Sequence, residues 1–256
     1  MAPSDVLSQW TVPAGERRCL VAVCCSERMI HRETAMSLVE ISWGGQTLAA
    51  AKHHGFSAVD FGWFDKGVRV DGLRNQAAAQ AINQGYTHLL FLDADMIWPT
   101  DVLDLMLAHH ARGIVSATYF LKKWPHWPVA LRDPKPDGRG FSQYEYDWQA
   151  AGATELRRES LVGMGCTIIP VAILRRLAEP WFEYRNDHNG QPSITEDVPF
   201  CEHAGLLNCP IWLDPTIECG HCSVQIVTKP WFHRGLYEHQ SMVADEAVAG
   251  QNGSAA

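Results

Sequence analysis

The sequence has no apolar run long enough to cross a bilayer. Its most apolar stretches, residues 89–92 and 168–174, fall far short of the roughly 20 residues a spanning helix needs. Basic residues are not in excess: 21 Lys and Arg stand against 29 Asp and Glu, a formal net charge of −8. That balance speaks against a non-specific nucleic-acid binder, while leaving room for a local basic groove. Eight cysteines in 256 residues are too dilute for a disulfide scaffold and read as reduced thiols. The first ten residues are polar, carry Asp5 and lack the basic end and apolar stretch of a secretory leader. The expectation is therefore a cytoplasmic protein with no transmembrane segment. Internal repeats and low-complexity tracts are also absent. What is present is a globular composition, 46% apolar and 20% charged, enough for a sizeable core and for one large domain or two small ones.

Strand-like and helix-like stretches alternate along the chain. Residues 19–25 form a short run rich in Val and Cys that reads as a buried strand. A helical stretch over about 33–53 is broken near Gly44-Gly45, and 56–61 reads as a second strand. Asp71 is expected to cap a helix over 72–84 that stops at Gly85. A buried strand at 88–92, a helix over 101–111 opened by Pro99-Thr100, and a strand at 114–119 follow. From 122 to 158, Pro125, Pro128, Pro134 and Pro136 break the pattern and predict a loop or hairpin. Apolar structure resumes over 161–170, with helices at 171–178 and 196–207, strands at 211–213 and 216–219, and a helix near 237–247. The alternation predicts an α/β domain with a largely parallel sheet. Residues 1–18 read as a lead-in, 19–245 as one domain, and 246–256 as a flexible tail.

Five constellations are candidates for chemistry. In the first, an apolar strand ends in Asp93-Ala94-Asp95. In extended chain residues i and i+2 face one side, so both carboxylates can meet one cation, and carboxylate oxygens suit Mg2+ or Mn2+. The carboxyl ends of parallel strands are also where open α/β sheets bind ligands. Second, Thr195-Glu196-Asp197 opens a helix; one acid there complements the helix dipole, and the other is available as a general base. Third is Cys219-Gly220-His221-Cys222, with Cys201, His203 and Cys209 not far away. It admits a thiol–disulfide pair, a structural zinc site, or a lone metal-binding or core histidine among incidental thiols. Fourth, Arg74 and Asn75 lie near a helix start, where Arg gains nothing from the dipole and a ligand phosphate or base would explain it. Fifth, Gly163 and Gly165 precede an apolar strand and permit close backbone approach to a ligand.

Taken in order, these elements resemble the GT-A glycosyltransferases, most closely the family-two-like group. The residues that carry the likeness are Arg74-Asn75, Asp93-Ala94-Asp95, Gly163-Met164-Gly165, Trp181-Phe182, Thr195-Glu196-Asp197 with Phe200-Cys201, and Asp214-Pro215 leading to His221. The resemblance implies a GT-A, Rossmann-like fold with a mixed, mostly parallel central sheet flanked by helices. It also implies a nucleotide-sugar half over 19–120 and an acceptor half over 121–245. Carried over by position, Asp93, Asp95 and His221 hold a divalent metal, Mn2+ or Mg2+, and Asp93 also contacts the ribose. Asp197 is the catalytic base, with Glu196 the second choice. Arg74 and Asn75 touch the nucleotide, while Gly163 and Gly165 line the donor-sugar and acceptor pocket. One departure is that residues 21–26 lack the Pro-x-Tyr-Asn often found there. The implied reaction transfers a sugar from a nucleotide sugar, UDP-sugar favoured, to an acceptor hydroxyl with inversion. The acceptor is a glycan, lipid carrier, protein, small molecule or modified DNA base. Competing readings are a non-catalytic nucleotide- or glycan-binding GT-A domain, a nucleotidyltransferase, and a thiol–disulfide protein using Cys219 and Cys222.

Overall fold

The computed structural model describes residues 10–26, 30–43, 45–65, 69–136, 142–186 and 189–223. The helix expected near 237–247 and the tail at 246–256 lie outside them. Strand β1 (Arg17–Cys24) pairs in parallel with β2 (Phe56–Phe64) and β3 (His88–Asp93). Its residues alternate between two cores: Leu20, Ala22 and Cys24 on one face, Cys19, Val21 and Val23 on the other. Leu89 and Phe91 against Leu90 and Leu92 do the same in β3. Both faces of these strands are covered, which is why they are continuous apolar runs rather than alternating ones.

Two helices, α1 (Arg32–Trp43) and α2 (Gln46–His53), flank the break at Gly44-Gly45 and, with α4 (Val102–Leu107), cover the second face. The first face receives α3 (Val70–Asn83), whose Leu73, Ala77, Ala78 and Ala81 make one buried stripe at helical spacing. The single turn α5 (Val171–Leu174) and the helix α6 (Asp197–Leu206) complete that layer. Gly85, at φ +70°, ends α3 as expected. Asp71 does not cap it: Arg69 holds the cap position, and Asp71 sits in the first turn, 2.9 Å from the Arg69 guanidinium.

Two-residue strands β4 (Met96–Ile97), β8 (Arg157–Arg158), β9 (Leu161–Val162) and β14 (Gly220–His221) join the longer β5 (Ile114–Thr118), β10 (Cys166–Pro170) and β13 (Ile211–Glu218), while β11 (Arg185–Asn186) and β12 (Pro192–Ile194) pair only with each other. The seven-stranded sheet has the order β2-β1-β3-β10-β5-β13-β8. Strands β1, β2, β3, β5 and β13 run one way; β10 and β8 run against them. The sheet is thus mixed and mostly parallel. The proline-rich stretch forms a hairpin of β6 (Ala130–Pro136) and β7 (Ser142–Tyr146), extended by β9 into a three-stranded sheet. The two strands expected at 211–213 and 216–219 are one strand, β13, with a register jump between Asp214 and Glu218. The side-chain carboxylate of Asp214 makes that jump. It accepts from the Thr216 amide at 2.9 Å and hydroxyl at 2.6 Å, and its second oxygen meets His109 at 2.8 Å.

The glycines between β9 and β10 serve a neighbour in the core. A Cβ at Gly163 would collide with the Tyr119 hydroxyl and come within 2.6 Å of Val129, and one at Gly165 would lie 3.0 Å from the Tyr119 ring. The Gly165 amide donates to the Tyr119 hydroxyl at 3.1 Å. Gly163→Ala is expected to lower stability by about 1–3 kcal/mol through overpacking, read as a fall in the urea midpoint. Gly152→Ala, with nothing within 4 Å of its Cβ, is the control and should change stability by less than about 0.5 kcal/mol.

Candidate functional site

The site is assembled at the carboxyl end of β3. Asp93 is the last residue of that strand, with Asp95 in the turn before β4. After the jump in β13, strand β14 pairs antiparallel with β4, placing His221 opposite Met96. The Cys222 amide donates to the Asp95 carbonyl at 2.7 Å. Backbone bonds therefore stitch His221 to the acidic turn, more than 120 residues away in sequence. The His221 Nε2 lies 3.5 Å from Asp95 Oδ2. Its Nδ1 is 2.7 Å from the Phe120 carbonyl. A carbonyl only accepts, so Nδ1 carries a hydrogen, and Nε2 is the nitrogen that faces Asp95: as N–H it donates to the carboxylate, and without that proton it offers its lone pair to a cation.

Lys122 reaches the same oxygen, its Nζ 2.5 Å from Asp95 Oδ2. Burial works against charge on Asp95, but His221 and then Lys122 outweigh it and hold the carboxyl well below its usual range. Asp93 differs. Its Oδ2 accepts from Arg74 at 2.9 Å, while its Oδ1 is buried without a hydrogen-bond partner. Burial pushes its carboxyl up, against the pull of Arg74.

Arg74 lies between two elements. It is 3% exposed, and it donates from Nε to Glu196 and from Nη2 to Asp93, both at 2.9 Å, and from Nη1 to the Met164 carbonyl at 3.3 Å. Glu196, 4% exposed, is thereby engaged as the Arg74 partner. Asp197, half-buried beside it, accepts from the Thr195 hydroxyl at 2.5 Å and the Val198 amide at 3.0 Å. Burial, then the neighbouring Glu196 charge, push its carboxyl up to about 6, near where a general base is effective at neutral pH.

A cavity of about 1260 Å3 opens over these groups, and Arg74, Asp93, Asp95, Glu196, Asp197 and His221 all line it. Three expected residues do not. Asn75 accepts from the amides of Trp181 and Phe182 at 3.0 and 3.1 Å and donates to the Phe182 carbonyl at 2.7 Å. Its amide fixes that loop to α3 rather than facing a nucleotide. Gly163 and Gly165 make room for Tyr119, and Met164 between them is the residue that lines the cavity. Two groups here were not picked out from sequence. Tyr119 lies edge-on to His221 at 5.6 Å, its phenol pushed up by burial and so kept as a neutral hydroxyl. Lys122 stands beside Lys123 in the sequence, and nothing in its spacing marks the contact with Asp95.

The donor set suits a hard or borderline divalent ion: one free carboxylate oxygen, one carboxylate held charged, one imidazole lone pair. Among the described residues, a closer grouping of three candidate ligands lies elsewhere. His53 Nδ1 and His54 Nε2 sit 2.8 and 3.0 Å from Asp104 Oδ1. The His54 carbonyl accepts from Arg17 at 2.6 Å, which places this cluster at the amino-terminal edge of the sheet, a strand length from Asp93.

The cysteines are free and buried. Burial pushes the Cys222 thiol up, and the Cys219 hydrogen bond, then burial, push Cys166 up. That is the reverse of an activated thiol. Cys219 packs on the second face of the sheet, Cys201 and Cys209 on the first, so they cannot share a zinc ion.

No family model matches the chain, and no curated protein does. Solved structures are similar in fold. The chain matches A197 from STIV at a TM-score of 0.54 and 16% identity, over 80% of this chain and 86% of that one. It matches GalNAc-T7 with UDP, GalNAc and Mn2+ at 0.48 and 12%, over 80% and 43%. UDP-glucose pyrophosphorylase complexed with UDP-glucose matches at 0.43 and 10%, over 88% and 99%. The first is a likeness of fold; the other two, below a TM-score of 0.5, carry no weight beyond it. Among the described residues no helix is long and apolar enough to cross a membrane.

Removing Arg74 leaves two carboxylates buried without their counter-charge, a change that typically costs about 3–5 kcal/mol. Arg74→Met is expected to lower stability on that scale in chemical denaturation, with part of the loss recovered in the double variant with Glu196→Gln.

Proposed function

We propose that the chain is a metal-dependent glycosyltransferase of the GT-A type. It moves a sugar from a nucleotide sugar, UDP-sugars first among the donors, to an acceptor hydroxyl with inversion. The observation that carries this reading is the joining of Asp95 and His221 by the β4–β14 ladder in a cavity that also holds Asp197. Asp95 and His221, with the free Oδ1 of Asp93, would hold the divalent cation. When bound, Mn2+ or Mg2+ supplies positive charge against the negative charge that builds on a leaving diphosphate. Lys122 adds a second positive charge at the same carboxylate.

The remaining chemistry belongs to side chains. The Asp197 carboxylate takes the proton of the acceptor hydroxyl. The acceptor oxygen forms its bond to the sugar carbon as the carbon–oxygen bond to the diphosphate breaks, and the electron pair leaves with the diphosphate. Arg74 keeps Asp93 and Glu196 neutralised and fixed on either side of this path.

UDP release from UDP-sugars in the presence of Mn2+, with water standing in for the acceptor, tests the proposal. Asp95→Asn and chelation by EDTA should each lower the rate by about 100-fold or more; activity that survives both would remove the metal assignment. Absence of turnover with UDP and Mn2+ still bound would favour a binding domain instead.

Asp197 must be ionised to accept a proton. With its carboxyl pushed up to about 6, the wild-type rate should fall about tenfold per pH unit below that value and level off above it. Asp197→Asn should lower the rate by about 100-fold or more and abolish that acid limb. A limb unchanged in the variant would assign the base elsewhere.

A further inference from the structure

Two imidazoles and a carboxylate converge at the end of the sheet opposite Asp93. The His54 carbonyl accepts from Arg17, the first residue of β1, whereas Asp93 pairs with Cys24, the last. His53 is the final residue of α2 and His54 caps it. Along a regular helix, neighbouring side chains point about 100° apart. These two meet because the chain leaves the helix at His54 (φ −96°, ψ 12°) and because the rings offer different nitrogens. His53 Nδ1 and His54 Nε2 reach the same oxygen, Asp104 Oδ1, at 2.8 and 3.0 Å, with ring centroids 4.3 Å apart. All three donor atoms lie within 4.8 Å of one another.

Both sides of this grouping are anchored. Asp104 stands in the first turn of α4, whose Val102, Leu103, Met106 and Leu107 are buried in the core of the second face. Opposite it, the His54 amide donates to the Ala50 carbonyl at 3.1 Å, and the Gly15 amide donates to the Gly55 carbonyl at 2.8 Å. Arg17 aims Nε at the Val12 carbonyl, 2.7 Å away, and Nη1 at the His54 carbonyl, 2.6 Å away. Its guanidinium thus fixes the loop and leaves Asp104 to the two imidazoles.

The chemistry of the donors narrows the occupant. Each ring presents a nitrogen that donates to Asp104 as N–H and binds a metal once that nitrogen is bare. Two nitrogens and one oxygen suit zinc and its neighbours copper and nickel, and manganese stands lowest in that order. The grouping at Asp93, Asp95 and His221 has the opposite balance, two carboxylates and one imidazole. In a tetrahedral zinc site, with bonds of about 2.0–2.1 Å, neighbouring donors stand about 3.3 Å apart. The observed separations of 2.8 and 3.0 Å need to open by only about 0.3–0.5 Å. The carbonyl end of α2 adds a partial negative charge beside the site.

We infer that His53 Nδ1, His54 Nε2 and Asp104 Oδ1 form a second metal site, which takes a zinc-class ion with solvent in its fourth position. The ion clamps the end of α2 to α4, two helices that cover the second face of the sheet. Because the three ligands come together only in the folded chain, binding stabilises the fold. The site stands apart from the transferase reading and needs none of its residues.

The experiment uses the full chain without a histidine tag, stripped of metal, as wild type and as Asp95→Asn. Zn2+ and Mn2+ are each titrated by calorimetry, and thermal unfolding is recorded with and without each ion. Asp95→Asn should retain a zinc site, and zinc should raise its unfolding temperature by about 3 °C or more. Adding His53→Ala or Asp104→Asn should weaken that site by about tenfold or more and remove the rise. Mn2+ should bind it about tenfold or more weakly than Zn2+. The His53 and Asp104 side chains are 68% and 42% exposed, so both variants should fold, and unfolding without metal checks this. Should one not fold, the other carries the test. Three results each overturn the inference: no zinc bound by Asp95→Asn, zinc bound there with an affinity that neither added substitution changes, or Mn2+ bound as tightly as Zn2+. Zinc binding that depends on His53, in a chain that releases no UDP, would remove the transferase reading and leave this site standing. Mn2+-dependent UDP release without that zinc site would do the reverse.

Discussion

The guanidinium of Arg74 holds the two sides of the cavity in register. One of its edges grips Asp93 at the end of β3, another grips Glu196 at the start of α6, and a third hydrogen bond reaches the loop before β10. Arginine suits this place because its planar fork stays charged at any working pH and serves several acceptors at once. Two carboxylates brought this close in a buried setting would otherwise repel each other and shed their charge. With Arg74 between them, the strand that ends in Asp93 and the helix bearing Asp197 are fixed relative to each other. The same bond separates the adjacent acids Glu196 and Asp197: one is neutralised by a guanidinium, the other is left to burial and so is a better proton acceptor.

The second constraint is made of backbone. His221 reaches Asp95 because β13 jumps register at Asp214, whose carboxylate closes the turn, and because β14 then pairs with β4. Phe120 fixes the imidazole tautomer by accepting from Nδ1. Metal ligation, on this account, is a property of a ladder and a bulge as much as of two side chains. It explains why an Asp-Pro far from the acidic turn belongs to the same site: Asp214 contacts no cavity group, but without its turn His221 would not face Asp95.

Much of this was legible in the sequence, for stated reasons. Strands with both faces covered are unbroken apolar runs, so β1 and β3 stood out, and the carboxylates ending β3 marked the open end of the sheet. The break between α1 and α2 was written in two glycines. What was not legible depends on partners distant in sequence. Gly163 and Gly165 suggested close approach by a ligand, but the group that approaches is the Tyr119 ring. Asn75 suggested a nucleotide contact, but its amide is satisfied by the loop at Trp181 and Phe182. Asp71 fitted a cap by residue type, yet the helix begins at Val70, two residues before the expected start. Lys122 carried no periodic or spacing signal, because its target lies across a fold-back that only tertiary structure creates. The direction of β10, antiparallel beside β3, was equally invisible, since an apolar strand reads the same in either sense.

A crystal structure of the chain with UDP and Mn2+, phased to show the anomalous signal of manganese, tests the central claim most directly. The account predicts one strong peak within bonding distance of both the Asp95 carboxylate and His221 Nε2, with the diphosphate of UDP on its far side. Manganese at His53, His54 and Asp104 alone, or UDP bound away from Asp95, would contradict it.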